Sequence, residues 1–172
     1  MSNYPAGPYG FDQGQTFQNY SFMGFRNGAD PFTELSLSDY YDPDLSNGIK
    51  ALFITYGWNG CGACISESHN MNTWDGEYHS EGLRQLYALR ADLQTPNGHG
   101  PATESTAQSW IRAYAPKYDV VIDPTMQLSN GATPPYDPHS WLVDPKTMKI
   151  TYFFPGAPGS LLPGGLNTLL AR

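Results

Sequence analysis

Ile54-Thr55-Tyr56-Gly57-Trp58-Asn59-Gly60-Cys61-Gly62-Ala63-Cys64 is the stretch on which the reading of this chain turns. It holds the only 2 cysteines, placed where an apolar run over residues 49–56 gives way to a helical pattern. A near-continuous apolar run of that length is the signature of a strand buried on both faces. A cysteine opening the helix that follows meets unpaired backbone N–H groups, which favour negative charge there. A thiol so placed falls from a free pKa of about 8.5 into a range of roughly 3.5–7.5. Cys64, three residues on, lies on the same helical face and can close a disulfide with Cys61. This is the pattern of redox chemistry.

Upstream, residues 1–20 carry Pro5, Gly7, Pro8, Gly10 and Gly14 and read as an irregular arm. Its aromatics (Tyr4, Tyr9, Phe11, Phe17, Tyr20) predict that it docks on the domain. Short strand-like runs follow at 20–25 and 32–37, then a turn-rich connector at 40–48. Downstream, Ile65, Ser68 and Met71 continue the face of Cys61 and Cys64, with a break or bend expected at 72–76. A helical pattern resumes at 81–86, with a strand at 86–92, a loop at 95–101, a helix at 102–114 and a strand at 120–123. Residues 141–144 and 149–154 flank the turn Pro145-Lys146-Thr147 and read as an antiparallel hairpin. A weak terminal helix at 161–170 is interrupted near Pro163-Gly164-Gly165. This order predicts an α/β fold, a mixed sheet with helices on both faces.

At 172 residues the chain fits one domain with a sizeable core. No apolar stretch is long enough to cross a bilayer. The balance is acidic, 16 Asp and Glu against 9 Lys and Arg, without a basic cluster, which argues against nucleic-acid binding. Met1 is followed by neither a basic start nor an apolar core, which does not read as a signal peptide and taken literally predicts cytoplasm. The charge-poor opening nevertheless resembles the tether of an exported protein. Periplasm or cell envelope is the favoured location, cytoplasm the alternative.

Taken together, the pattern resembles the thioredoxin fold, and the long N-terminal extension resembles the TlpA-like or redoxin-type thiol–disulfide oxidoreductases. Trp58, Cys61-Gly62-Ala63-Cys64, the strand at 120–123 and Asp137-Pro138-His139-Ser140-Trp141-Leu142-Val143-Asp144 carry the resemblance. It implies a thioredoxin-like mixed central sheet flanked by helices over residues 30–172, behind an arm over 1–29. It further implies that Pro138 is a cis-proline facing the cysteines. Cys61 would attack a substrate disulfide and Cys64 would resolve the mixed disulfide. Trp58, Asp137 and Pro138 would bind substrate, an extended segment adding its backbone beside the 137–138 loop. No cofactor is implied beyond the cysteine pair. The implied partners are a disulfide-containing protein substrate and an upstream thiol donor.

Three departures from the family pattern bear on mechanism. Asn59 and Gly60 intervene between the tryptophan and Cys61, and the dipeptide between the cysteines is Gly-Ala instead of Gly-Pro. The buried Asp that serves thioredoxins as proton relay is Thr55 here, with Asp92 and Asp123 as possible substitutes. If Asp137 lies near Cys61, its charge opposes the thiolate and makes the couple more reducing, which predicts a reductant.

Other readings remain alongside. Behind the redox reading stand the cysteines as a static disulfide or as core thiols, and behind the functional reading of Pro138 an ordinary turn, while Trp58 reads as well as a core residue. A non-catalytic envelope interaction module with a structural disulfide is the principal alternative. A thiol peroxidase is disfavoured, since that chemistry needs Thr or Ser three residues before the reactive cysteine and Trp58 stands there. His69, His79, His99 and His139 show no regular zinc-binding spacing, although His139 follows Pro138 and is placed to approach the sulfurs.

Overall fold

The computed structural model describes residues 4–93, 100–129 and 137–172. The loop expected at 95–101 lies largely outside these, as do His99 and the Pro134-Pro135-Tyr136 run. Nine strands are described: β1 (Ser21–Arg26), β2 (Ala29–Ser36), β3 (Ala51–Gly57), β4 (Leu83–Leu89), β5 (Ala91–Asp92), β6 (Gly100–Pro101), β7 (Asp119–Ile122), β8 (His139–Asp144) and β9 (Lys149–Phe154). The α-helices are α1 (Gly62–Tyr78), α2 (Glu104–Tyr114) and α3 (Leu162–Leu170). Seven strands form one mixed sheet in the order β2-β1-β7-β4-β3-β8-β9, and β5 pairs with β6 separately.

β3 is buried at every position, as its unbroken apolar run requires. It runs parallel to β4 and antiparallel to β8. That arrangement decides the location of everything functional. The C-terminal ends of β3 and β4 and the N-terminal end of β8 share one edge of the sheet, with Gly57 opposite Leu89 and Tyr56 opposite His139.

The expectation of helices on both faces is corrected. Buried side chains of α1, α2 and α3 (Cys64, Met71, Trp74, Ala107, Trp110, Leu166) pack in one cluster with Phe53, Tyr87, Val120 and Leu142. The alternate strand positions, Leu52, Ile54, Leu86, Ala88, Val121, Trp141 and Val143, face a second cluster containing Phe17, Phe22, Leu37 and Tyr40. The reason is topological. The steps β3 to β4 and β4 to β7 go the same way across the sheet, so two right-handed crossovers put both helices on one side.

The N-terminal stretch covers the other side. Phe17 N donates to Met148 O, and Gly14 N and Ile150 N exchange bonds with Ile150 O and Gln15 O, laying the chain along β9. Phe11, Phe17 and Tyr20 cluster around Trp141, whose Nε1 donates to Phe11 O at 3.1 Å. β1, which falls inside the 1–29 span, is a sheet strand paired to both β2 and β7. Tyr40 Oη and Asn27 N both donate to the Asp119 carboxylate, tying this segment to the start of β7.

Local corrections follow from packing. α1 runs unbroken through 72–76, because burying Met71 and Trp74 outweighs the roughly 1 kcal/mol that Gly76 costs a helix. Only a short 3-10 turn, His79–Glu81, stands where a second helical pattern was expected, and β4 begins at Leu83. α3 is not interrupted by Pro163, which sits in its first turn where a missing N–H has no helical partner to lose. Gly165 is needed there: a Cβ would lie 2.8 Å from the Tyr152 ring.

Candidate active site

Cys61 is the N-cap of α1, in extended backbone conformation, with its sulfur accepting the Cys64 N–H at 3.1 Å. Cys61 N donates to Trp58 O, and Ile65 N donates to Cys61 O, so the sulfur is held where the helix begins. The two sulfurs are joined at 2.14 Å. They are not equivalent. Cys64 is fully buried, whereas Cys61 is only partly so, packing against the edge of the helix-side core.

The strand ends bring the other sequence-predicted residues here. The Asp137–Pro138 peptide is cis, and the Asp137 carbonyl oxygen lies 3.7 Å from Cys61 Sγ. Trp58 leads out of β3 and packs at the rim of the same core. Above its ring, 5.7 Å from the centroid, lies the guanidinium of Arg90. Arg90 Nε donates to Asp137 Oδ2 at 3.2 Å and Oδ1 at 3.4 Å, and Nη2 completes the ion pair. Asp137 is therefore not a lone carboxylate beside the sulfur, and the sequence-based case for a reductant loses its electrostatic premise.

The two inserted residues are built into the site. Asn59 Nδ2 donates to Asp92 Oδ1 at 2.8 Å and Leu93 N donates to Asn59 Oδ1 at 2.7 Å, while Asp92 Oδ2 accepts from Thr106 Oγ1. Gly60 admits no side chain, since a Cβ would meet the Trp58 ring at 2.3 Å. Both additions brace the approach to Cys61.

Thr55, at the position of the absent relay acid, sits 3.2 Å from Ser140 Oγ across the β3–β8 pair. The candidate substitutes are occupied elsewhere. Asp92 holds Asn59 and Thr106, and Asp123 accepts the N–H groups of Gln127 and Leu128. A further carboxylate, not singled out from the sequence, lies on α1 itself. Glu67, one helical turn past Cys64, is fully buried, and its Oε1 has no hydrogen-bond partner among the described residues. Burial without a cation pushes its carboxyl up to about 7, offset in part by the Asn70 amide. The signal was present as a Glu on the Cys64, Ser68, Met71 face. Tyr87, also missed, directs its hydroxyl to Cys64 O at 3.4 Å.

His139 does not approach the sulfurs. It is buried in β8 with its ring stacked on Trp141 and Phe153, on the arm side of the sheet. No group of three potential metal ligands occurs among the described residues.

No family model and no curated protein matches the chain. Solved structures do. A putative thiol:disulfide interchange protein DsbE from Chlorobium tepidum superposes with a TM-score of 0.72 at 18% identity, over 94% of this chain and 99% of that one. The thioredoxin domain of a thiol-disulfide oxidoreductase from Bacteroides vulgatus gives 0.69 at 15%, over 93% and 99%. A reduced 2-Cys peroxiredoxin from Plasmodium vivax gives 0.60 at 14%, over 83% and 70%. The chain has a thioredoxin-like α/β fold. Since proteins of two differently named kinds share that fold, the chemistry must be argued from the site itself.

Proposed function

We propose that this protein is a thiol–disulfide oxidoreductase that acts on protein disulfides through Cys61 and Cys64. The observation that carries the reading is the asymmetry of the pair. One sulfur caps a helix, receives an N–H and is partly open, and the other is fully buried behind it. Only Cys61 is open to a second disulfide.

In the reducing direction, the Cys61 thiolate attacks one sulfur of a substrate disulfide, forming a mixed disulfide and releasing the first substrate thiolate. Cys64 then loses its proton and attacks Cys61 Sγ, which breaks the mixed disulfide and releases the second substrate thiolate. Two electrons pass to the substrate, the two thiolates take up protons, and the Cys61–Cys64 disulfide remains. Glu67 is the group suited to accept the Cys64 proton, being on the same helical face with a carboxyl that titrates near neutrality. An upstream thiol donor closes the cycle, and no cofactor enters.

Trp58, Asp137 and cis-Pro138 form the substrate surface in this reading. The support is the Asp137 carbonyl alongside Cys61 Sγ, where an extended segment pairs its backbone. The reading includes an extracytoplasmic location, supported by the charge-poor, Pro- and Gly-rich N-terminal stretch.

The test is reduction of insulin in dithiothreitol, with Cys61→Ser as control, together with the reduction potential of the pair. Cys61-dependent turnover and a potential between about −200 and −270 mV, the range of known reductases, is expected. No turnover and a value well below about −300 mV means a structural disulfide, and the interaction-module reading replaces this one.

A further inference from the structure

Arg90 has no part in the chemistry derived so far, yet it joins the pieces of the site. Its backbone N–H donates to Gly57 O at 2.9 Å and its carbonyl accepts from Ala102 N at 3.2 Å, so its Cα is fixed at the end of β4. From there the guanidinium reaches over the Trp58 ring and grips both Asp137 carboxylate oxygens. Arg90 is 27% exposed and Asp137 only 11%, so this pair is sheltered beyond the usual surface ion pair. Asp137 is also the residue whose carbonyl lies 3.7 Å from Cys61 Sγ.

Resting on the exchange reading, we propose that Arg90 is a positioning residue for Cys61: it cancels the Asp137 charge beside the sulfur and holds the 137–138 backbone against it. A sheltered carboxylate left alone would repel the Cys61 thiolate, whereas the paired carboxylate does not. The helix N-terminus then acts on the sulfur unopposed. Arg90 thereby sets how readily Cys61 ionises, and through that the poise of the couple, because a better-stabilised thiolate stabilises the reduced form. Among the described residues, the ionisable groups on the elements that meet here include Glu67 on α1, Tyr56 on β3, Tyr87 on β4, Asp92 in β5 and His139 on β8. They stay unchanged in every variant compared below.

The test is a charge-balance cycle on the full chain in a Cys64→Ala background, where a single sulfur titrates, read by thiolate absorbance against pH. Arg90→Gln is expected to cut the thiolate fraction at neutral pH roughly threefold to tenfold, the size of effect a nearby uncompensated charge produces. Adding Asp137→Asn to it restores the fraction to within about twofold of the parent, because neutrality returns. Asp137→Asn alone raises the fraction, and this variant keeps the test decisive if Arg90→Gln does not fold. An Arg90→Gln titration like the parent overturns the proposal. So does a double variant no better than Arg90→Gln, since the effect would then be lost packing. A drop in thiolate fraction with Asp137→Asn alone also overturns it. The titration reads Cys61 acidity whether or not a disulfide is turned over. Failure of insulin reduction with the charge cycle intact therefore counts against the exchange reading alone.

Discussion

Gly57 and Cys64 approach so closely that a Cβ on Gly57 would lie 2.8 Å from the Cys64 sulfur. The same Cβ would lie 2.8 Å from the Tyr87 hydroxyl. The last residue of β3 thus has no side chain because the buried sulfur and a tyrosine occupy its place. Gly57→Ala forces one of them to move, and overpacking of this kind costs about 1–3 kcal/mol. Urea unfolding with the disulfide intact should show the unfolding free energy falling by that amount through a lower midpoint, with no change in the slope. An unchanged midpoint would mean that the sulfur has room to shift.

Glu67 predicts a pH dependence whose sign is fixed by burial. Its carboxyl is raised from the ordinary 4.5 to about 7, so the folded protein keeps a proton that the unfolded chain releases. The stability it contributes is full below the unfolded value, declines as pH rises between 4.5 and 7, and is lost above. The decline is on the order of 3 kcal/mol. Glu67→Gln should flatten that part of the profile. It should also slow release of the substrate from the mixed disulfide near neutral pH, which a single-turnover assay with the trapped intermediate measures. If the wild-type and Gln profiles superimpose, Glu67 carries no shifted proton.

Tyr40 and Asp119 tie the 3-10 turn that follows β2 to the start of β7. Asp119 is raised by burial, and the Tyr40 hydroxyl and the Asn27 N–H hold it partly down. Tyr40→Phe removes a bond to a buried carboxylate and should cost about 1–3 kcal/mol at neutral pH. Protonating Asp119 relieves the loss, so the gap between wild type and variant should narrow as pH falls. Chemical denaturation at two pH values checks this, and a gap that widens in acid would contradict it.

Phe17 bears on whether the N-terminal stretch is part of the fold. It is fully buried, edge-on to Trp141 at 5.4 Å and to Phe11 at 5.6 Å. Phe17→Ala leaves a cavity in the second core and should cost about 3–5 kcal/mol. A loss below about 1 kcal/mol, the level of surface substitutions, would show the arm to be dispensable.

Much of the site was legible because its signals are local. An apolar run ending at Tyr56 and a cysteine pair opening a helix need only neighbouring residues to be read. Arg90 was not legible as a partner of Asp137, 47 residues away. Only the parallel pairing of β3 with β4 and the antiparallel pairing of β3 with β8 bring those two strand ends to one edge. Glu67 was half-legible, since its spacing from Cys64 follows the helical repeat. That it is fully buried depends on how α1 packs on the sheet, which no local pattern records.

The sequence by itself determined the strand-to-helix junction, the cysteine pair upon it and the hairpin near the C-terminus, because backbone propensity and apolar periodicity act over a few residues. Tertiary structure decided three other things: that every described α-helix covers one face, that Asp137 is paired with Arg90, and that Glu67 is buried on α1. Each depends on strand order and crossover direction, which fix the contacts between distant segments and are set by the packing of the whole sheet.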